Sequence, residues 1–185
     1  MCNFASFVVT KDSVFWSQKT DSHQSICEEH HLYTDGVRST NVVPVELVPP
    51  DGDYTAPVDK WIFSLDDNIS PILPEWWDAD RAEKQCRAML PDQIAEKIIL
   101  PGQVFEEIKD KNIVACYGKI KKLSGTSQVG TMRGTSQVGE MWETSQVGEM
   151  KDFATTKKYD GDKCEITCAD PSNFTIVKHI PEAQA

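Results

Sequence analysis

Cys2 is the residue best suited to nucleophilic chemistry in this chain, because removal of Met1 would leave an N-terminal cysteine whose α-amino group can act as base for its own thiol. A strand-end cysteine packed as a small apolar residue explains the same position. His23, Cys27 and His31 are spaced four and four, so on one helix all three share a face, and their types suit zinc. No fourth ligand follows from spacing, and with Glu28 and His30 alongside, the same residues also make a polar helical face around a half-buried cysteine. Trp76 and Trp77 beside Asp78 and Asp80 have the make-up of a sugar or base pocket, although adjacent aromatics ahead of an amphipathic helix also pack as a staple. A phosphate loop, a GxSxG elbow and HExxH are all missing. The six cysteines, at 2, 27, 86, 116, 164 and 168, are scattered and lack paired metal-ligand spacing, which predicts reduced thiols and implies no cofactor.

The elements that must position these residues read as α+β. NFASFVVT, a KDS turn and VFWS predict a hairpin from Asn3 to Ser17. Asp21 or Ser22 caps a short helix over Gln24 to His31. VVPVELV and KWIFSL predict two strands around the turn-rich PPDGDYTAP, and Pro44 predicts an edge position for the first of them. In PEWWDADRAEKQCRAML, the residues Ala79, Ala82, Cys86, Met89 and Leu90 make one apolar stripe behind an Asp78 cap. Pro91 then ends that helix and opens another, PDQIAEKI, before Pro101-Gly102 closes the unit.

From Gly125 to Lys151 three nonapeptides run head to tail: GTSQVGTMR, GTSQVGEMW and ETSQVGEMK. In a helix, nine residues advance about two and a half turns, so the Val and Met of successive copies would fall on opposite faces. A flat strand fails as well, because Val129 and Met132 are three apart and would point to opposite sides. Bending the chain at glycine removes both conflicts. Val129, Val138 and Val147 then stack in one inward column and Met132, Met141 and Met150 in another, with Gly130, Gly139 and Gly148 at the corners. Two nonapeptides per turn are expected, since nine residues are too few to circle a packed core. Ile120, Leu123 and Val114 continue the phase upstream, so the stack is expected to begin near Asn112. The calcium-binding roll GGxGxDxUx places an Asp in every turn, and none of the copies has one. DFATTKKY, CEITCA and FTIVKHI predict strands that close the far end.

The fold class expected is therefore an α+β N-terminal unit joined to a short β-solenoid with a C-terminal β cap. Its divisions are an acidic domain over 1–102, the nonapeptide stack over 103–152 and the cap over 153–185. The acidity is uneven: Met1 to Gly102 holds 17 acidic against 8 basic residues, and the remainder 12 against 11, within a net charge of −10. Such a surface disfavours polyanions, so nucleic acid and anionic lipid are not expected partners. No apolar run reaches the roughly 20 residues that span a bilayer, and the opening MCNFASFVVTKDSVFW lacks a basic start before an apolar run, so a soluble, cytoplasmic protein is expected.

The MCNF start, DSHQS around Asp21 to His23 and the iterated SQVGxM nonapeptide together resemble a set of bacterial and phage-encoded proteins of uncharacterised activity, which have a small N-terminal region and a variable number of such repeats. The resemblance implies this architecture and a mobile-element origin, and it transfers no functional residue. The functional expectation is a non-enzymatic structural or protein-interaction module. Its solenoid face, with outward Gln128, Gln137 and Gln146 and the variable column Arg133, Trp142 and Lys151, would bind another protein or assemble copies into a side-by-side homodimer, the chain otherwise being a monomer. Two other classes stand beside it: a phage-type inhibitor whose acidic head mimics nucleic acid, and a small hydrolase or transferase using Cys2 or a metal at His23, Cys27 and His31.

Val138→Asp should cost several kcal/mol, because it sets an unpaired charge between stacked neighbours, while Gln137→Asp next to it should cost little. Urea denaturation of the two variants checks this, and equal losses would reverse the assignment of inside and outside.

Overall fold

Short, nearly continuous apolar runs in SFVV and VPVELV, buried along almost their whole length, build the first sheet. The computed structural model describes residues 5–32, 41–66, 73–159, 163–168 and 174–177, and the chain divides into the units Met1–Glu96 and Lys97–Ala185. In the first unit β1 (Ser6–Val9), β2 (Val14–Phe15), β3 (Val43–Val48) and β4 (Ile62–Leu65) form one antiparallel sheet in the order β2-β1-β3-β4. Helix α1 (His23–Glu29) starts at Ser22, whose hydroxyl accepts the Ser25 N–H, and its Ile26 and Cys27 pack with Val8 of β1. Helix α2 (Ala79–Lys97) starts at Asp78, whose carboxylate accepts the Arg81 N–H at 3.0 Å.

Two expectations about proline are corrected. Strand β3 lies inside the sheet, paired on both sides, with Pro44 opposite Val8. The position is tolerated because Pro44 lies just past the last β3–β4 pair, Val45 opposite Leu65, and its carbonyl still accepts the Asp66 N–H at 3.2 Å. Only the end of that ladder lacks a donor. Helix α2 also runs unbroken through Pro91. Leu90 and Gln93 on either side are fully buried, and the Gln93 side chain donates to the Ser6 carbonyl at 3.4 Å. This packing holds a turn that an interior proline weakens by roughly 3 kcal/mol.

The second unit is the β-solenoid. Strands β5 (Ile98–Ile99), β7 (Asn112–Cys116), β9 (Gln128–Met132), β11 (Gln146–Met150) and β13 (Glu165–Cys168) form one parallel sheet. Strands β6 (Val104–Lys109), β8 (Lys119–Ser124), β10 (Gln137–Met141), β12 (Thr155–Tyr159) and β14 (Phe174–Val177) form the other. Successive strands alternate between the sheets, so Gln128 pairs with Gln146 and Lys119 with Gln137, two nonapeptides apart. The tail strands β12, β13 and β14 follow the last repeat rungs at the C-terminal end of both sheets. No helix among the described residues is long and apolar enough to cross a membrane.

The stack begins earlier than Asn112. Ile98–Ile99 already pair with Ala115–Cys116, and Val104–Lys109 with Lys119–Ser124, which is why the units part upstream of the expected boundary at Gly102. The inward pair in β7 is Ile113 and Cys116, with Val114 outside the core, because the short corner at Tyr117–Gly118 breaks the nine-residue phase. Every rung from β6 to β11 keeps the same inward spacing of three, as in Ile120 and Leu123 or Val138 and Met141. Each Val or Met side chain withdrawn from water in this way is worth about 2 kcal/mol. Ser127 and Ser145, ahead of β9 and β11, and Ser136, ahead of β10, are fully buried as well.

Gly130, Gly139 and Gly148 lie in mid-strand, not at corners, and none has a positive φ. The ladder skips each of them, which lets the residues on either side both face inward. A Cβ on Gly139 would sit 2.6 Å from the Lys121 carbonyl oxygen of the neighbouring rung, and one on Gly148 would sit 2.6 Å from that of Gly130. The left-handed corner positions are Asp110, Gly125, Gly134, Glu143 and Asp152, with φ between 52° and 66°.

Gly139→Ala should therefore lower stability by roughly 1–3 kcal/mol, through forced separation of two rungs. Gly134→Asp should cost under about 1 kcal/mol, because its Cβ meets nothing within 4 Å and Asp152 holds the same conformation at the equivalent corner. Denaturation midpoints of the two variants test this assignment, which a cheaper Gly139→Ala would refute.

Candidate functional site

With two repeats per turn, residues that recur every nine positions fall on alternate sheets. Gln128 and Gln146 pair in the sheet of β9, whereas Gln137 lies in the sheet of β10. Arg133 and Lys151 follow β9 and β11, their amides donating to Cys116 and Met132, while Trp142 follows β10 and donates to Leu123. The six residues expected to share one surface are thus divided between two.

The two outer surfaces differ in charge. On β6, β8 and β10, Lys121 pairs with Glu106 at 2.7 Å, Lys122 with Glu107 at 3.0 Å, and Glu140 stands beside Lys122 in register. The Trp142 indole N–H donates to Glu140 at 3.0 Å, so that ring is tied to the charged side. On β7, β9 and β11, Asn112, Gln128 and Gln146 stand in register, with Gly130 and Gly148 behind them and Thr131 beside Glu149. Asn112 and Gln128 are exposed and Gln146 is half-buried.

At the corners, acidic side chains accept amide N–H groups of neighbouring rungs: Asp110 from Thr126 at 3.0 Å, Asp152 from Gly134 at 2.8 Å, and Glu143 from Gly125. The Thr126 amide holds the Asp110 carboxyl below the usual carboxylate range. The Ser124 hydroxyl, at 2.6 Å, does the same to Glu107, helped by Lys122.

The chemistry-bearing cluster of the first unit differs from the one expected. His23 is buried at the start of α1, but Cys27 packs into the core with Val8 and Ile26, and His31 lies beyond the helix, exposed, with φ of 54°. The helix ends at Glu29, two residues short of His31. Instead, His23 meets Glu46 of β3 and Asp66, which follows β4, and one ligand atom from each lies within 4.8 Å of the others. His23 Nδ1 is 2.9 Å from Asp66 Oδ2, and Nε2 is 3.1 Å from the Val45 carbonyl oxygen. Exposure of the three is 3%, 6% and 3%. A carboxylate in the middle of VPVELV was the sequence signal for this cluster, while Asp66 carried none.

Cys2 lies outside the described residues. Cys27, Cys86, Cys116 and Cys164 are buried, and burial pushes the Cys86 thiol up to about 12 and the Cys116 thiol to about 11. Such thiols are poor nucleophiles at neutral pH. Trp76 and Trp77 stack edge to face 6.4 Å apart, with Arg81 6.0 Å over the Trp76 ring. No protein-family model, curated protein or solved structure matches this chain at a significant level.

Because folding lowers the Asp110 and Glu107 carboxyls, the stability they add is complete above the ordinary carboxylate value of about 4 and is lost as pH falls through the lower folded values. Asp110→Asn should therefore flatten the acid limb of stability against pH. Urea midpoints measured from neutral to strongly acid pH give that slope, and an unchanged slope would remove Asp110 from the account.

Proposed function

We propose that this chain is a non-enzymatic assembly module whose solenoid associates side by side with a second copy through the outer face of β7, β9 and β11. One observation supports the reading: a chain of net charge −10 keeps this face free of charge on β7 and β9, with Glu149 of β11 paired to Lys151, while its other sheet is laced with ions. Two like-charged copies repel least where charge is absent. Carboxamides both donate and accept, so the row Asn112, Gln128 and Gln146 complements its own image across a two-fold axis. Gly130 and Gly148 add no side chain that would hold the partner away.

Three strands of five residues present roughly 250 Å² of face, well under the roughly 800 Å² per partner of a stable interface. The dimer is accordingly weak and depends on concentration. Sedimentation across a wide concentration series should show monomer passing to dimer and no further. The double variant Gln128→Glu with Thr131→Glu should abolish the dimer, and Lys119→Glu on the opposite sheet should leave it intact. Monomer at every concentration, or equal sensitivity to both changes, would overturn the reading. Mass growing without limit would do so too, since it would mean that open sheet edges associate.

A further inference from the structure

We propose that His23, Glu46 and Asp66 form a buried site for a first-row divalent metal ion, with zinc the best match to their donors. The three come from separate elements of the first unit: the start of α1, the middle of β3 and the residue after β4. All three side chains are more than nine-tenths buried, and their ligand atoms lie within 4.8 Å of one another.

The hydrogen bonding of the ring carries the argument further. The Val45 carbonyl only accepts, so His23 Nε2, 3.1 Å away, carries a proton. Nδ1 faces Asp66 Oδ2 at 2.9 Å. A lone pair and a carboxylate at that distance repel unless positive charge lies between them. A proton there links two of the three donors, whereas a divalent ion links all three and matches the two carboxylate charges. The N–H donated from the far ring nitrogen to a backbone carbonyl is also the arrangement that orients metal-bound imidazoles and fixes their tautomer.

The donor set selects the metal. One imidazole and two carboxylates suit zinc or a neighbouring divalent ion better than calcium, which takes six or more oxygens. Ligands about 2.1 Å from a tetrahedral ion stand roughly 3.4 Å apart. Binding therefore asks the His23–Asp66 contact to open slightly and the three donors to close in. Buried so deeply, the ion would fasten α1 to β3 and to the end of β4, and it would be loaded during folding.

The test is elemental analysis of the full chain, expressed in zinc-supplemented medium and purified without chelator. About one zinc per chain is expected, falling to background in His23→Gln and in Asp66→Asn. Wild type folded by circular dichroism but carrying no stoichiometric first-row metal would overturn the proposal, and so would metal retained by both variants. Since either variant could lose metal by unfolding, a second measurement uses wild type alone. Protein denatured in chelator and refolded should melt higher with added zinc than without, and identical melting in the two conditions counts against the site.

Discussion

Parallel rungs stacked at the spacing of β-strands place each residue directly over its counterpart in the next turn, and the glycine position of the nonapeptide shows what that demands. Gly130, Gly139 and Gly148 each bring their Cα so near the carbonyl of the adjacent rung that a side-chain carbon would stand 2.8 Å or less from its oxygen. The ladder breaks at those positions and resumes beyond them. Strict alternation is suspended for one residue, and Val and Met three apart both enter the core. The repeat is thus spaced by a contact between main chains, and its apolar residues fill the space that this contact leaves.

The corners follow a different rule. Gly125 and Gly134 adopt left-handed backbone at little cost, but Asp110, Glu143 and Asp152 adopt it as well. Each acid accepts an amide N–H from a neighbouring rung, so a conformation unfavourable for the single residue is offset by a bond between turns. A corner therefore takes glycine or an acid, and where an acid stands it also ties the stack along its axis. Lys121 with Glu106 and Lys122 with Glu107 run along the same axis on one sheet, while the other sheet carries carboxamides.

Much of the solenoid could be read from the chain because three copies expose a phase. The phase identified the inward Val and Met positions and required two copies per turn, but each expected single column is divided: Val129 stacks with Val147 and Met132 with Met150 in one sheet, while Val138 and Met141 stack on Ile120 and Leu123 in the other. It failed wherever the spacing left nine: the offset is shorter between β6 and β8, where Val104 pairs with Lys119, and between β7 and β9, where Asn112 pairs with Gln128. Serine reads as polar, so the burial of Ser127, Ser136 and Ser145 was not visible, although a small hydroxyl suits a tight turn between sheets. In the first unit, local signals located the helices and strands, but tertiary packing overrode them at Pro44 and Pro91. The cluster of His23, Glu46 and Asp66 was illegible for another reason: its members are far apart in sequence, and pairing of β3 with β4 brings two of them together.

The two units bury different kinds of polar group. In the repeat rungs the buried polar side chains are neutral: the Ser127 hydroxyl lies 2.6 Å from the Ser124 carbonyl and 3.1 Å from that of Ile108, and the equivalent Ser136 hydroxyl is buried without a hydrogen-bond partner. The first unit instead buries ionisable groups, and withdrawing a carboxylate from water costs several kcal/mol unless opposite charge and hydrogen bonds are in place. Glu46 lies in a strand whose other members are apolar, where a leucine or methionine of similar volume would pack without that cost. Stability alone gives no reason for a carboxylate there, beside a histidine and a second acid. The three meet only where α1, β3 and the end of β4 come together, so burying them is a cost that the first unit bears and the repeat rungs do not.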